Sequence, residues 1–509
     1  VRNSAAFASL AAILTAVGLG IGPVLFIGLG QGDGRSLFDA YLWQVLRFTL
    51  LQAGLSTLLS VGLAIPVSWV LFRTAFPGRG LILQLFALPL ALPAIVAILG
   101  IVAVYGRSGL IARATGVPLD TYGLTGILIA HVFFNMPLAV RLLMQRLDGI
   151  APEPWRLGAQ LGLSDHDRFR LIGWPAMRSG LTGAASLIFL LCAASFAAVL
   201  TLGGGPRATT LEVAIYQALR FDFDPGRAGA LALVQLALCG VLVALAGRYA
   251  LQIYGGATLA SRRYGFAPAA PGATDVIVIG LATLYVAAPL VAILVVGIVA
   301  SFAWKAIATA ALTSVAIASL ASLASVIIAL PLGYAMARAV SPRQHTIFAL
   351  AGVLSLIVPP AVLATGWFVL VARFGLAAWL AFLLVAAMNT LMALPFAVGA
   401  LAPAARSAVL PQDRLCASLG ISGLRRLSLI DLPLMRGPLM FALAICFAVS
   451  LGDLTAIALF GSQDLVTLPS LIYGQMGSYR IESAAATALV LLALSMVVIS
   501  FAERMGRGT

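Results

Sequence analysis

Twelve stretches of about 20 mostly apolar residues, each long enough to cross a bilayer as a helix, recur along this chain. They run roughly 5–29, 46–71, 81–105, 123–144, 181–201, 228–247, 275–299, 307–330, 347–371, 376–400, 438–460 and 484–502. A soluble domain carries about 25% charged residues, whereas here 9% are charged and 62% hydrophobic, with a mean hydropathy of +1.07. The sequence therefore predicts an all-α polytopic membrane protein with about 12 transmembrane helices. The first stretch follows Arg2 and is longer than the apolar region of a cleaved signal peptide, so it reads as a retained span.

The formal net charge is +14, and on a membrane protein basic residues first mark cytoplasmic loops. With the N-terminus placed in the cytoplasm, 21 of the 31 basic residues fall on the inner side. Both termini are therefore expected inside, and the charge calls for no nucleic acid. Cys192, Cys239, Cys416 and Cys446 are scattered through spans and the inner loop, and they imply neither a disulfide framework nor a metal site.

The two halves of the chain repeat each other. A shift of 258 positions carries Pro137 onto Pro395, Gly162 onto Gly420, Ser164 onto Ser422, Ile172 onto Ile430, Pro175 onto Pro433, Arg178 onto Arg436 and Gly203 onto Gly461. With small gaps, Pro66, Pro77 and Pro93 fall opposite Pro331, Pro342 and Pro359, and Gly109 opposite Gly375. Six predicted spans, an even number, separate the two matched polar loops, so both loops face one side and the six-helix repeats are parallel. The expected division is a first repeat at 1–247 with a loop at 150–178, and a second repeat at 275–509 with a loop at 406–436. Residues 248–274 join them, as a linker or as an ordinary loop between spans.

Both polar loops share a local pattern. Pro152 and Pro154 precede Trp155 to Leu161, and Pro411 precedes Gln412 to Leu419; proline suits a helix start. Gly162 and Gly420 stand where a left-handed residue would end each short helix. Ser164 and Ser422 suit the cap of a second helix, and Pro175 and Pro433 mark its expected end. One such loop would read equally well as a polar connection. Two copies at one offset favour docking.

The spacing of Gly, nine residues, Ile, one residue, Leu or Trp and Pro resembles the cytoplasmic Glu-Ala-Ala loop of permease subunits in binding-protein-dependent ATP-binding-cassette (ABC) importers. Two such loops in one chain resemble the fused permeases of iron(III) and thiamine importers. The stretches from Cys192 to Pro206 and from Ile215 to Leu219 are most similar to permeases for thiamine and thiamine pyrophosphate, as are Ser450 to Asp453 and Ala458 to Gly461. The resemblance implies a type I ABC importer permease (MetI-like) fold in the bacterial inner membrane. It also implies two copies of a cytoplasmic ATPase subunit and a periplasmic binding protein as partners. Within the loops it assigns ATPase coupling to Arg156, Ala159, Leu161, Gly162, Ile172 and Pro175, and to Arg414, Ala417, Leu419, Gly420, Ile430 and Pro433. The motif's Glu is replaced by Arg156 and Arg414, which removes any contact that needs its carboxylate.

The chain has no GxxxxGK[ST] phosphate loop, no G-x-S-x-G, no H-E-x-x-H and no C-x-x-C, and His131, His166 and His345 are far apart. No catalytic residue, metal or cofactor is expected on it; ATP and magnesium belong to the partner ATPase. A buried ionisable group in a span usually has a function. Asp453, about fifteen residues into a predicted span and opposite Ser195 at the offset of 258, has two readings. It lines a path for a cationic substrate with Ser195 and Phe196, or it sits near the outer end of its span, solvated or hydrogen-bonded. Phe196, Trp367 and Trp69 could stack on a thiazolium, or serve only packing and anchoring. The segments Gly203 to Arg227 and Gly461 to Glu482 read as outer loops, either docking a binding protein or simply solvated. An iron(III) importer is the nearest alternative, and an ion-coupled secondary transporter the alternative of another class.

Overall fold

The computed structural model describes residues 2–30, 39–118, 120–246, 270–339, 341–372 and 378–506. The predicted linker, as far as residue 269, and Gly375 lie outside them. Every regular element among the described residues is helical. The first repeat opens with α1 (Arg2–Gly30) and α2 (Ala40–Arg73), then α3 (Arg79–Leu85), α4 (Leu88–Ala91), α5 (Ala94–Tyr105) and α6 (Leu110–Thr115). After α7 (Leu124–Asp148) come the loop helices α8 (Pro152–Gln160) and α9 (Asp165–Arg168), then α10 (Trp174–Ala193), α11 (Ala197–Leu202), α12 (Leu211–Arg220) and α13 (Pro225–Ala246). The second repeat follows the same plan with α14 (Ala273–Ile298), α15 (Trp304–Arg338), α16 (Pro342–Ile357), α17 (Pro360–Ala372) and α18 (Ala378–Ala404). Its loop holds α19 (Asp413–Ser418), α20 (Gly423–Arg426) and α21 (Leu432–Leu434), and α22 (Arg436–Leu451), α23 (Thr455–Phe460), α24 (Leu468–Gly477) and α25 (Ile481–Gly506) complete it.

Among the described residues, ten helices are long and apolar enough to cross a membrane, or eleven if the bent pair Gly423–Leu434 and Arg436–Leu451 is one span. The ninth predicted stretch, 347–371, is split at Pro359 into α16 and α17. Proline forces its predecessor out of the helical region, and Val358 has ψ 111°. Pro93, its counterpart in the first repeat, acts in the same way on Leu92, with ψ 137°, and divides α4 from α5. The stretches predicted at 181–201 and 438–460 are shortened too, since α10 stops at Ala193 and α22 at Leu451 before the chain turns into α11 and α23.

The first helix of each repeat crosses to the other repeat. α1 packs on α13 and on α15, α16 and α17, while α14 packs on α25 and on α2 and α5. Gly366 in α17 lies against the Gly20 carbonyl of α1, and Gly100 in α5 against the Pro289 carbonyl of α14. Gly100 and Gly366 each stand seven residues after the breaking proline. A side chain at either would strike backbone, and close backbone approach is how helices associate where lipid removes the hydrophobic drive. The outer surface carries exposed apolar side chains such as Phe26, Leu58, Leu281 and Leu312, as a lipid-facing surface requires. The protein is thus a multi-pass membrane protein built from two interlocked helical repeats.

Candidate functional site: two matched loops and the seam between the repeats

The loops fold alike where their sequences match. In the first, Pro152 opens α8, where a missing N–H costs nothing. Leu163 N–H donates to Gly158 C=O at 3.0 Å and Gly162 N–H to Ala159 C=O at 3.2 Å. In the second, Ile421 donates to Cys416 at 2.9 Å and Gly420 to Ala417 at 3.2 Å. This pairing closes a helix through a left-handed residue, and Gly162 and Gly420 both have φ +65°. Ser164 caps α9 by accepting the Asp167 N–H at 3.2 Å. Ser422, expected to do the same, makes no side-chain cap bond.

Pro175 and Pro433 do not end the second helix as predicted. Each follows a π turn, Phe169–Gly173 or Leu427–Asp431, placed at the same offset of 258. There Trp174 N–H pairs with Phe169 C=O and Leu432 N–H with Leu427 C=O, five residues back instead of four. The wider turn gives a proline ring room against the preceding carbonyls, and the chain stays helical past both prolines. The copies then diverge. Asp165–Ala193 forms one continuous span, whereas the second copy bends by 79° between Leu434 and Arg436. Pro438 stands where the first copy has Gly180, and its ring excludes the carbonyl of Leu434 four residues earlier.

Each loop offers an apolar surface. Leu161 and Leu419 are 66% and 61% exposed, and Leu157, Leu171, Leu415 and Leu429 are also exposed, every leucine having its counterpart 258 positions away. Arg156, Ala159, Pro175, Arg414, Ala417 and Pro433 are exposed around them. Ile172 and Ile430 are half-buried, and Ile172 packs toward Gly158. Burying a leucine contributes about 2 kcal/mol, so such a surface is built to be covered.

The two loops are fastened to the helical body by different chemistry. In the first, the buried Trp155 stacks on Trp69 at 6.3 Å and meets Phe72 at 5.4 Å, and Phe169 lies edge-on to Trp69 at 5.1 Å. Arg73, at the end of α2, pairs with Asp165 of this loop at 2.9 Å and with Asp275 of α14 in the other repeat at 2.5 Å. In the second, Asp413 replaces Trp155 and takes bonds from Arg338 at 2.8 Å and Arg426 at 2.5 Å. The buried Arg426 also reaches Asp431 at 3.0 Å and the Val409 carbonyl at 3.2 Å. Rings, with the Arg73–Asp165 pair beside them, hold one loop to α2, and ions hold the other to α15.

Ser195 and Phe196 lie in the break between α10 and α11, and Phe196 is buried edge-on to Tyr216 at 5.4 Å. Asp453 lies in the equivalent break after α22, not inside a continuous span. Its carboxylate accepts the Thr455 and Ala456 N–H groups at 3.1 and 3.0 Å and so caps α23. Beside it, a side chain on Gly452 would sit 2.9 Å from the Pro93 Cα, so this break touches the broken span of the other repeat. Trp69 belongs to the loop anchor, and Trp367 donates to the Ala16 carbonyl at 3.0 Å; both pack. The segment Gly203 to Arg227, expected to be an outer loop, contains the buried helix α12. Glu212 on it is fully buried, and sequence reasoning placed it on a surface. The apolar run from Leu211 to Leu219 was the available signal of a buried helix.

No protein-family model matches the chain. It is similar to the thiamine transport system permease protein ThiP of Brucella abortus (strain 2308), with 48% identity over 494 residues that cover 94% of this chain and 90% of that protein. The protein of the same name from Escherichia coli (strain K12) is 40% identical over 516 residues, 98% of this chain and 95% of its own. That of Haemophilus influenzae is 36% identical over 488 residues, 93% and 90%. At these identities over almost its whole length, the chain belongs to the family of thiamine transport system permease proteins.

Proposed function

We propose that this chain is the membrane-spanning subunit of an ATP-driven importer that carries thiamine and its phosphates across the bacterial inner membrane. Both termini face the cytoplasm, each loop receives one copy of a separate ATPase that binds ATP and magnesium, and a periplasmic binding protein delivers substrate to the opposite face. The observation that carries this reading is the leucine surface repeated at one offset on two closed helices, in a chain whose relatives are named for thiamine transport. Closure of the ATPases would draw the loops together. The loops are fixed to α2 and α15, so the repeats would move as bodies and substrate would pass along the seam lined by Ser195, Phe196 and Asp453. With Arg in place of the motif's Glu at 156 and 414, the ATPase surface facing these positions should be acidic.

The stoichiometry offers the test. Wild-type complex weighed by native mass spectrometry should hold two ATPase copies per chain. Leu161→Asp should lose one, and Leu161→Asp with Leu419→Asp should lose both, because each change removes about 2 kcal/mol of burial and puts a charge into the contact. A double variant that still carries two ATPases would remove the loops from the interface. ATP-dependent uptake of thiamine into proteoliposomes, with iron(III) as the competing substrate, tests the cargo.

A further inference from the structure

Two acids without a basic partner among the described residues lie where the repeats meet, and their hydrogen bonds set them apart. Asp453 is committed, with both carboxylate oxygens accepting backbone N–H groups of α23. Glu212 is not. It is fully buried on α12, its Oε1 takes a long bond of 3.4 Å from Gln235 Nε2, and its Oε2 has no hydrogen-bond partner among the described residues. Enclosing an acid with accepting capacity unmet is costly, and inside a membrane such a group marks function.

The position of α12 gives that group something to do. Its first turn sets Glu212 beside the Ala361 backbone N–H, in the opening turn of α17 in the other repeat. Its last residue, Arg220, donates to the Gly461 carbonyl at 3.0 Å, just past the end of α23. An acid near one helix start and a base at another helix end suit both dipoles, so α12 bridges the seam, hydrogen-bonded at its Arg220 end and with the Glu212 Oε2 left unpaired among the described residues at the other. Tyr216, one turn after Glu212, meets Phe196 at 5.4 Å. Its counterpart in the second repeat, 257 positions later, is Tyr473. The counterpart of Glu212 at that offset is Pro469, which leaves a single acid at this level.

We propose that Glu212 is the residue that meets the positive charge of the substrate. When the repeats part along the seam, the contacts at Ala361 and Gly461 release, and the carboxylate faces the opening with the Tyr216 and Phe196 rings beside it. That is an acidic, aromatic site for one organic monocation such as a thiazolium, to which ring faces add cation–π attraction. The proposal rests on the reading of the chain as a thiamine importer subunit.

The test uses the complete transporter, with its ATPase and binding protein, in proteoliposomes. Glu212→Gln should lower ATP-dependent thiamine uptake at least tenfold while ATPase stimulation by the binding protein stays within twofold of wild type. Glu212→Asp should retain an intermediate rate. Uptake by Glu212→Gln within twofold of wild type would overturn the proposal, as would loss of ATPase stimulation together with uptake, which is the mark of a structural role. If the variant fails to fold, wild-type complex trapped with ATP and vanadate should react with a water-soluble carbodiimide at Glu212, and thiamine should block the reaction; no labelling, or labelling indifferent to thiamine, also overturns it. If the wild-type transporter moves no thiamine at all, it is the reading as a thiamine importer that fails.

Discussion

Asp431→Ala is expected to destabilise the second loop by about 3–5 kcal/mol, the usual cost of removing one partner of a buried ion pair. Arg426 has 3% of its side chain exposed and Asp431 4%, and they meet at 3.0 Å. Without Asp431 the guanidinium stays enclosed, with Asp413 and the Val409 carbonyl as its remaining partners among the described residues. The measurement is hydrogen exchange over α19 and α20, where protection should fall by two orders of magnitude or more. Replacing both partners, Arg426→Met with Asp431→Leu, should restore most of the protection, because no charge is left stranded. If Asp431→Ala and the double replacement exchange alike, the pair is not what holds the loop.

Trp155→Ala should loosen the first loop by a similar amount, about 3–5 kcal/mol for an aromatic removed from a packed core, for a different reason. Trp155 packs against both Trp69 and Phe72, which lie 6.3 Å from each other. Gly173 leaves room for the same cluster, since a side chain there would come within 2.6 Å of the Trp69 ring. Limited proteolysis between α8 and α9 reads the effect, and Trp155→Phe should recover part of it. High salt separates the two anchors. The Arg338–Asp413 pair, with side chains 22% and 37% exposed, should weaken as charges are screened, as should Arg73–Asp165 on the first loop, while the ring stack that also holds the first loop should persist. Equal salt sensitivity of both loops would contradict the difference drawn between them.

The matched loops were legible in sequence because glycine and proline report backbone geometry wherever they stand. Gly162 and Gly420 predicted a left-handed residue, and both take the same φ. The prolines misled at 175 and 433, since a π turn absorbs a proline and leaves no mark in composition. Hydropathy found the spans but read through Pro359, because apolar content carries no information about a break between two short helices. Glu212 was placed in an outer loop for the converse reason: a charged residue in a ten-residue helix pulls a membrane-length average down, and only tertiary packing buries it. The ion network around Asp413 was invisible as well, because Arg338, Asp413 and Arg426 come from separate elements and meet only after the chain folds.

The crossing of the first helices also bears on how the protein is made. α1 is synthesised before α17, and the glycine it packs against, Gly366, follows Gly20 by about 350 residues. At about 5–20 residues per second, the ribosome needs on the order of half a minute to supply it. For that interval the Gly20 face of a new chain lacks its α17 partner, and a neighbouring nascent chain that offered its own α17 presents the same complementary surface.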